Sequence, residues 1–291
     1  MCWKLADEIT VCDVKPGLAQ AFAEELKHAA VSLGLDVEIN ACEKDEEVSG
    51  ADIILISAGQ PRIPGVNMSR RDLAAQNAKI VKYITEATFP SNKGAKYVVI
   101  TNPVDAMAMV CKKYSKADFV ISTGTNLESL RFRSKLAEVL AVPRSKVQGW
   151  VGGEHGEEAA ILWSTVKIDG FPLEKYAKIS GQGVDKEKVA SYVKTISKTI
   201  VDNIGGTEYG PAASFRDIVK AIVNNTSEVL SIAAPAQIEG IPEPVFVSVP
   251  RRLGGTIGSS IYEELPKNER EEIIKAAHAI YHTYLTLTDN L

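Results

Sequence analysis

The run ADIILISAG, residues 51–59, is almost wholly apolar and stops at a small-residue turn. A half-solvated strand alternates apolar and polar side chains, so an unbroken apolar run of this length reads as a strand covered on both faces, as in parallel sheets packed between helices. KYVVITNPVD, residues 96–105, has the same character over 97–101. Around these two runs lie EITVCDV (8–14), a helical PGLAQAFAEELKHA (16–29), DVEIN (36–40), a helix beginning near Ser69 with RRDLAAQNAKIVKYI (70–84), and DFVIST (118–123). Strand and helix patterns in alternation predict an α/β lobe with a doubly wound, mostly parallel sheet. In the helix after Ser69, Leu73, Ile80, Val81 and Ile84 share one face, leaving Arg71, Lys79 and Lys82 toward water.

Past Gly124 the rhythm changes. NLESLRFRSKLAEVLAV (126–142) is helical, VQGWVGGEHGEE (147–158) begins as a strand, helical patterns cover about 184–203 and 211–232, and PVFVSVPRRLGG (244–255) holds strands. A last helix over about 268–285 places Ile273, Ala277, Ile280, Tyr284 and Leu285 on one side. This second, α+β lobe sets the expected domains at 1–122 and 123–291, with the boundary near Thr123.

With 291 residues, 45% hydrophobic and 24% charged, the chain has the composition of a globular protein large enough for two lobes. A formal charge of −4, with basic residues dispersed, leaves no electrostatic footprint for nucleic acid. Cys2, Cys12, Cys42 and Cys111 form no CxxC pair and read as reduced thiols. No apolar run is long enough to span a bilayer and no leader pattern opens the sequence, so a cytoplasmic protein is expected.

Four stretches hold residues suited to chemistry. SAGQPRIPGVNMSRRDL (57–73) leaves the end of an apolar strand, where open α/β sheets place ligands; it carries Arg62 and Arg70 and reads either as a lid that brings cations to an anion or as a plain solvated loop. Asn102-Pro103 ends the next strand and is a candidate cis bond or an ordinary turn. Glu128 and Arg131, at i and i+3 of a helix, fit a surface ion pair. His155, flanked by glycines and acids at a strand end, is the histidine best placed for general acid–base work. His278 and His282 have the spacing of a helical metal pair but no third ligand nearby, so they are assigned to a solvated face and no metal is expected.

AGQPRIPG, SRRDLAAQNAKIV, ITNPVD, NLESLRFR, GGEHGEE and GGTEYGPAA stand in the order found in the lactate and malate dehydrogenase family, and the chain resembles that family from about Ala6 to its end, most of all the archaeal type of malate dehydrogenase. The resemblance implies NAD as cofactor, malate and oxaloacetate as substrates, and a homodimer or homotetramer. It gives His155 the role of the catalytic acid–base, Glu128 that of its carboxylate partner, Arg131 that of the fork on the C1 carboxylate, and Arg70 that of the lid cation polarising the C2 carbonyl. Arg62 stands at the substrate-discriminating position, where a cation suits a second carboxylate; lactate enzymes have a neutral glutamine there. Asn102 matches an amide beside nicotinamide and substrate, Asn77 falls among the cofactor-binding positions, and Asp13 matches the acid on the adenosine ribose, which favours NAD over a 2′-phosphorylated cofactor. A dehydrogenase for lactate or another 2-hydroxy acid, and a non-catalytic homologue acting as a binding or assembly partner, are the alternative readings.

Three departures from the family pattern carry expectations. Glu128 replaces an aspartate, and is expected still to reach His155. The lid holds two added residues in PGVNMSR (64–70). The GxGxxG turn that receives the cofactor pyrophosphate is missing, and MCWKLADEI aligns with the tail of the helix that follows it. The Rossmann-type sheet is therefore expected to lack its first strand, leaving the strands near 9–13 and 52–57 each with an unpaired edge, and the natural start is expected some 20 to 30 residues upstream, the length of one βα unit.

Overall fold

The computed structural model describes residues 4–60, 70–288 and 291, without the side chains of residues 70–72. These fall into two compact units, one of Met1–Asn102, Val110–Val120 and Leu287–Leu291, the other of Pro103–Met109 and Ile121–Thr286.

The first unit contains, in chain order, β1 (Glu8–Cys12), α1 (Leu18–Leu33), β2 (Glu38–Cys42), β3 (Ile53–Ile56), α2 (Arg70–Thr88) and β4 (Lys96–Val99). β1 and β2 pair in parallel from Glu8↔Glu38 to Cys12↔Cys42, and α1 lays Ala23 and Ala30 against Ile39. Small alanines on that face let the helix approach the sheet closely. Gly34 ends α1 in the left-handed region at φ 62, where a side chain would be strained. β3 and β4 also pair in parallel, from Ile53↔Lys96 to Ile56↔Val99.

Among the described residues, β1–β2 is a sheet of its own, and β3 has β4 on one side and no strand on the other. β1 and β3 thus each present the open edge expected of a Rossmann-type sheet without its first strand. The expectation that both apolar runs are covered on both faces holds for β4, whose Tyr97, Val98 and Val99 are buried, but not for β3: Ile54 and Ile56 are buried while Leu55 is 46% exposed. Alternate residues of a strand face opposite ways, so Leu55 marks a face of β3 that the described residues leave uncovered. On α2 the buried stripe is Ala74, Asn77, Ala78, Val81, Ile84 and Thr85; Leu73 and Ile80 lie only at its margin.

The second unit is α+β. After α3 (Val104–Ser115) and β5 (Val120–Ser122), both of which cross the unit boundary, come α4 (Asn126–Val139), β6 (Val147–Gly153), β7 (Ala159–Ile168), β8 (Phe171–Pro172), α5 (Leu173–Ser180), α6 (Lys186–Ile204), α7 (Tyr209–Val223), β9 (Glu228–Ala236), β10 (Val245–Leu253), β11 (Ile257–Ser260) and α8 (Lys267–Thr288). The strands order β5-β9-β10-β6-β7-β8, with β11 beside β10, and these pairings are antiparallel. Phe132, Leu136 and Leu140 of α4 pack with Val151, Val166 and Ile168 of the sheet to form its core.

Two sequence expectations need correction here. The helix expected over 211–232 stops at Val223, and the apolar run that follows is β9. Asn225 and Ser227 have φ of 47° and 55°, which no continuing helix accommodates, and the chain reverses there. On α8 the buried stripe is Ile273, Ala276, Ala277, Ile280, Tyr284 and Leu287, whereas Leu285 is exposed, because one residue beyond Tyr284 turns about 100° off the stripe. Among the described residues no helix is long and apolar enough to cross a membrane.

Candidate active site

The candidate site in the second unit is built where α4 starts and β6 ends. The two elements are tied together at Val151. The Thr125 hydroxyl, just before α4, donates to the Val151 carbonyl at 2.5 Å; the Ser129 hydroxyl donates to the Thr125 carbonyl and accepts from the Val151 N–H at 3.0 Å. Ser231 of β9 adds a third hydroxyl, donating to the Val151 carbonyl at 2.6 Å. All three side chains are buried, so these bonds operate at low dielectric and fix the first turn of α4 against β6. The first turn of α4 carries Glu128 and Arg131, and β6 leads into His155.

Two glycines make the approach possible. Gly124 has φ 50, and a Cβ there would lie 2.5 Å from the Ala233 nitrogen of β9. Gly153 has φ 80, with its would-be Cβ 2.5 Å from the Glu158 carbonyl oxygen, so the chain can turn from β6 into the histidine loop only with glycine at this position.

Glu128 is 5% exposed. Its two carboxylate oxygens each lie 3.1 Å from Nδ1 of His155, within hydrogen-bond range, and Oε1 is 3.4 Å from a guanidinium nitrogen of Arg131. The extra methylene of glutamate is thus accommodated by the placement of α4. Burial works against a charged imidazole, but the Glu128 carboxylate overcomes it, by its charge and its hydrogen bond, and lifts His155 from its usual 6.5 to about 9. Burial likewise opposes ionised Glu128, yet His155 and Arg131 hold it below the ordinary carboxylate range. A carboxylate on Nδ1 leaves Nε2 as the nitrogen free to exchange a proton with a ligand.

A second carboxylate joins the cluster that the residue types alone did not single out. Asp105, in the first turn of α3, is 2% exposed; it accepts the backbone N–H of His155 at 2.9 Å and the Ser122 hydroxyl at 2.7 Å. Burial raises it to about 6 against the pull of those two bonds. The signal was present in the sequence: an acid opening the otherwise apolar helix run VDAMAMVC (104–111) has no reason to be buried unless it is bonded.

The remaining sequence-expected residues are placed as follows. Arg62 lies outside the described residues, and Arg70 opens α2 with its side chain likewise outside them. In the first unit, Asn77 is buried; its Oδ1 accepts the Gln60 N–H at 2.7 Å and its Nδ2 donates to the Asn102 carbonyl at 2.8 Å. Asn77 therefore clamps the segment after β3 to the segment after β4, and the Asn102 side chain is left exposed. Asp13 follows β1, and its Oδ1 accepts the N–H of Lys15 at 2.8 Å. His278 and His282 are exposed on α8, and among the described residues no group of three metal-ligating side chains forms.

The residues fit a dinucleotide at its ribose end, where Asp13 offers a carboxylate oxygen at the C-terminal end of a parallel strand. They do not provide a glycine cradle for its phosphates: GxGxxG occurs nowhere in the sequence.

Family models described as lactate/malate dehydrogenase, NAD binding domain, and lactate/malate dehydrogenase, alpha/beta C-terminal domain, match residues 1–119 and 125–283. The chain is 41% identical to the malate dehydrogenase of Sulfurisphaera tokodaii over 96% of its own length and 87% of that protein's. It is 31% identical to the L-lactate dehydrogenase of Thermoanaerobacter pseudethanolicus over 92% of this chain and 86% of the relative. Among solved structures it resembles the malate dehydrogenase of Picrophilus torridus in its apo form, with a TM-score of 0.88, 28% identity, and coverage of 99% of this chain and 92% of that one.

Proposed function

The chain belongs to the lactate/malate dehydrogenase family, and within it we propose an NAD-dependent malate dehydrogenase that interconverts malate and oxaloacetate with His155 as the proton donor and acceptor. The observation that carries this reading is the buried contact of Glu128 with Nδ1 of His155, which orients the ring and keeps it charged at neutral pH. When bound, NADH supplies the hydride for C2 of the keto acid and NAD accepts it back. Asp13 would hold the adenosine ribose, and Asn102, positioned by Asn77, would meet the nicotinamide end of the cofactor.

In the reducing direction the imidazolium hydrogen-bonds the C2 carbonyl through Nε2 and gives up its proton as the oxygen becomes a hydroxyl. Glu128 stabilises the imidazolium before transfer and fixes the Nε2-unprotonated tautomer after it. Arg131, braced by Glu128, presents its fork to the C1 carboxylate and aims C2. Arg70 polarises the C2 carbonyl. Arg62 receives the second carboxylate of the substrate; with pyruvate it would be left without a partner, which costs a few kcal/mol when desolvated. The greater identity to a malate dehydrogenase than to a lactate dehydrogenase supports the same substrate. The domain boundary near Thr123, a homodimer or homotetramer, and a cytoplasmic location complete the reading.

The test is kcat/KM for NADH-dependent reduction of oxaloacetate and of pyruvate by this chain. Oxaloacetate should be preferred by a factor of 100 or more, the order expected when a buried charge is left unpaired; equal values, or a preference for pyruvate, would refute the substrate.

A further inference from the structure

We propose that Asp105 is a positioning residue for His155: it holds the loop that carries the ring and supplies the second negative charge that a protonated ring faces. The proposal rests on His155 being the acid–base of the reaction.

One buried carboxylate here connects three segments far apart in the chain. Through Oδ2 it holds the N–H of His155, fifty residues away, and through Oδ1 it holds the hydroxyl of Ser122 at the end of β5. Ser122 in turn accepts the N–H of Gly124, the turn that launches α4 and hence Glu128. Asp105 thereby sets the loop of the acid–base relative to the helix of its partner carboxylate. A neutral amide could make two hydrogen bonds in the same place without the cost of burying a charge. The use of an acid at this cost points to a role for the charge itself.

The described groups facing the ring are few. α4 brings Glu128 and Arg131, α3 brings Asp105, and the histidine loop brings Glu154, whose carboxyl is raised by burial and by Asp105. α8 contributes Ile280 and Thr283 to a small cavity of about 10 Å³ beside Asp105, Glu154 and His155, and neither is charged. Glu128 and Asp105 both favour the imidazolium, and Arg131 opposes it. With Asp105 ionised the ring stays protonated to about pH 9, poised for reducing the keto acid; malate oxidation, which needs the neutral ring, gains as pH rises toward 9. Below about pH 6 Asp105 itself takes a proton and its support is withdrawn.

The test is the NMR titration of the His155 ring in the cofactor-free chain, its resonance assigned by its loss in His155→Gln. In the wild type the ring should titrate near pH 9 with a second, smaller inflection near pH 6 as Asp105 protonates. Asp105→Asn, which keeps an oxygen for the His155 N–H, should abolish the lower inflection and lower the main midpoint by about one pH unit, a size typical of a nearby charge. Malate oxidation near pH 7.5 would then run on a roughly tenfold larger fraction of neutral ring. A wild-type curve flat around pH 6 overturns the proposal even if Asp105→Asn does not fold. An unmoved midpoint in folded Asp105→Asn overturns it as well. Neither readout requires turnover, so failure to reduce oxaloacetate would count against the proposed reaction while leaving the role of Asp105 decided by the titration.

Discussion

Glu128→Gln removes one charge and almost no volume from the contact on which the mechanism depends. Both oxygens of Glu128 lie 3.1 Å from Nδ1, and the rise of His155 from 6.5 to about 9 corresponds to about 3 kcal/mol of preference for the imidazolium, achieved against the burial of the ring. With glutamine the burial remains and its largest opponent is gone, so the ring should titrate at about 6.5 or lower. At pH 7.5 only about a tenth of the molecules would hold the proton needed to reduce oxaloacetate, and the imidazolium would lack its counter-charge during transfer. The expected loss is about 100-fold or more in kcat, with the alkaline limb of the reduction profile moving from near pH 9 to near pH 6.5. Steady-state rates of oxaloacetate reduction from pH 5.5 to 10 measure both quantities. A kcat within about threefold of wild type, with the limb in place, would refute the assignment of Glu128 as the source of the raised imidazole. Stability follows the same linkage: His155 binds its proton more tightly folded than unfolded, so this stabilisation is fully present below pH 6.5 and lost as pH rises through 9. Denaturation midpoints of wild type and Glu128→Gln should therefore differ most below pH 6.5 and converge above 9, the difference shrinking again only in acid below the ordinary carboxylate range, where Glu128 is protonated.

Three further outcomes follow from the same structure. Arg62→Gln should shift relative kcat/KM from oxaloacetate toward pyruvate by a factor of 10 or more, the order of a lost charge partner for the substrate; an unchanged ratio would remove Arg62 from the substrate site. Gly153→Ala places a Cβ 2.5 Å from the Glu158 carbonyl oxygen at φ 80, and should lower the thermal midpoint by several degrees, on the order of 1–3 kcal/mol of strain. Arg251 of β10 is 7% exposed, its Nε has no hydrogen-bond partner among the described residues, and burial alone lowers it; Arg251→Met should raise the thermal midpoint, and a fall would show that the guanidinium has a partner in the assembled protein.

The sequence carried the first unit's βαβ rhythm because its strands differ in kind from its helices: Ile53–Ile56 and Lys96–Val99 are short and β-branched, while α1 and α2 repeat apolar residues at helical spacing. The open edges of β1 and β3 were legible for the same reason, since one expected strand could be counted as missing. The misreading of Glu228–Ile232 as the end of a helix arose where composition is silent: VLSIAAPA is apolar but for Ser231, and the period that separates strand from helix is lost in such a run. The break at Asn224–Ser227 was the available sign. At the site, Glu128 and Arg131 were visible as a helical pair, but nothing local joins them to His155, 27 residues beyond Glu128; the hydroxyl stitching through Thr125, Ser129 and Ser231 to Val151, with Asp105 and the packing of α4 on the sheet, brings them together. Asp105 was overlooked because its partners are a backbone N–H and a serine, groups that no spacing rule connects to it.

Hydride transfer to C2 of oxaloacetate is the step toward which His155, Glu128 and Arg131 are all directed. NADH deuterated at both C4 positions, incubated with this chain and oxaloacetate, should yield malate carrying one deuterium at C2, seen by mass spectrometry, and His155→Asn should abolish its formation. Recovery of no malate, of unlabelled malate, or of labelled malate at an undiminished rate from His155→Asn would contradict the reaction or the role given to its histidine.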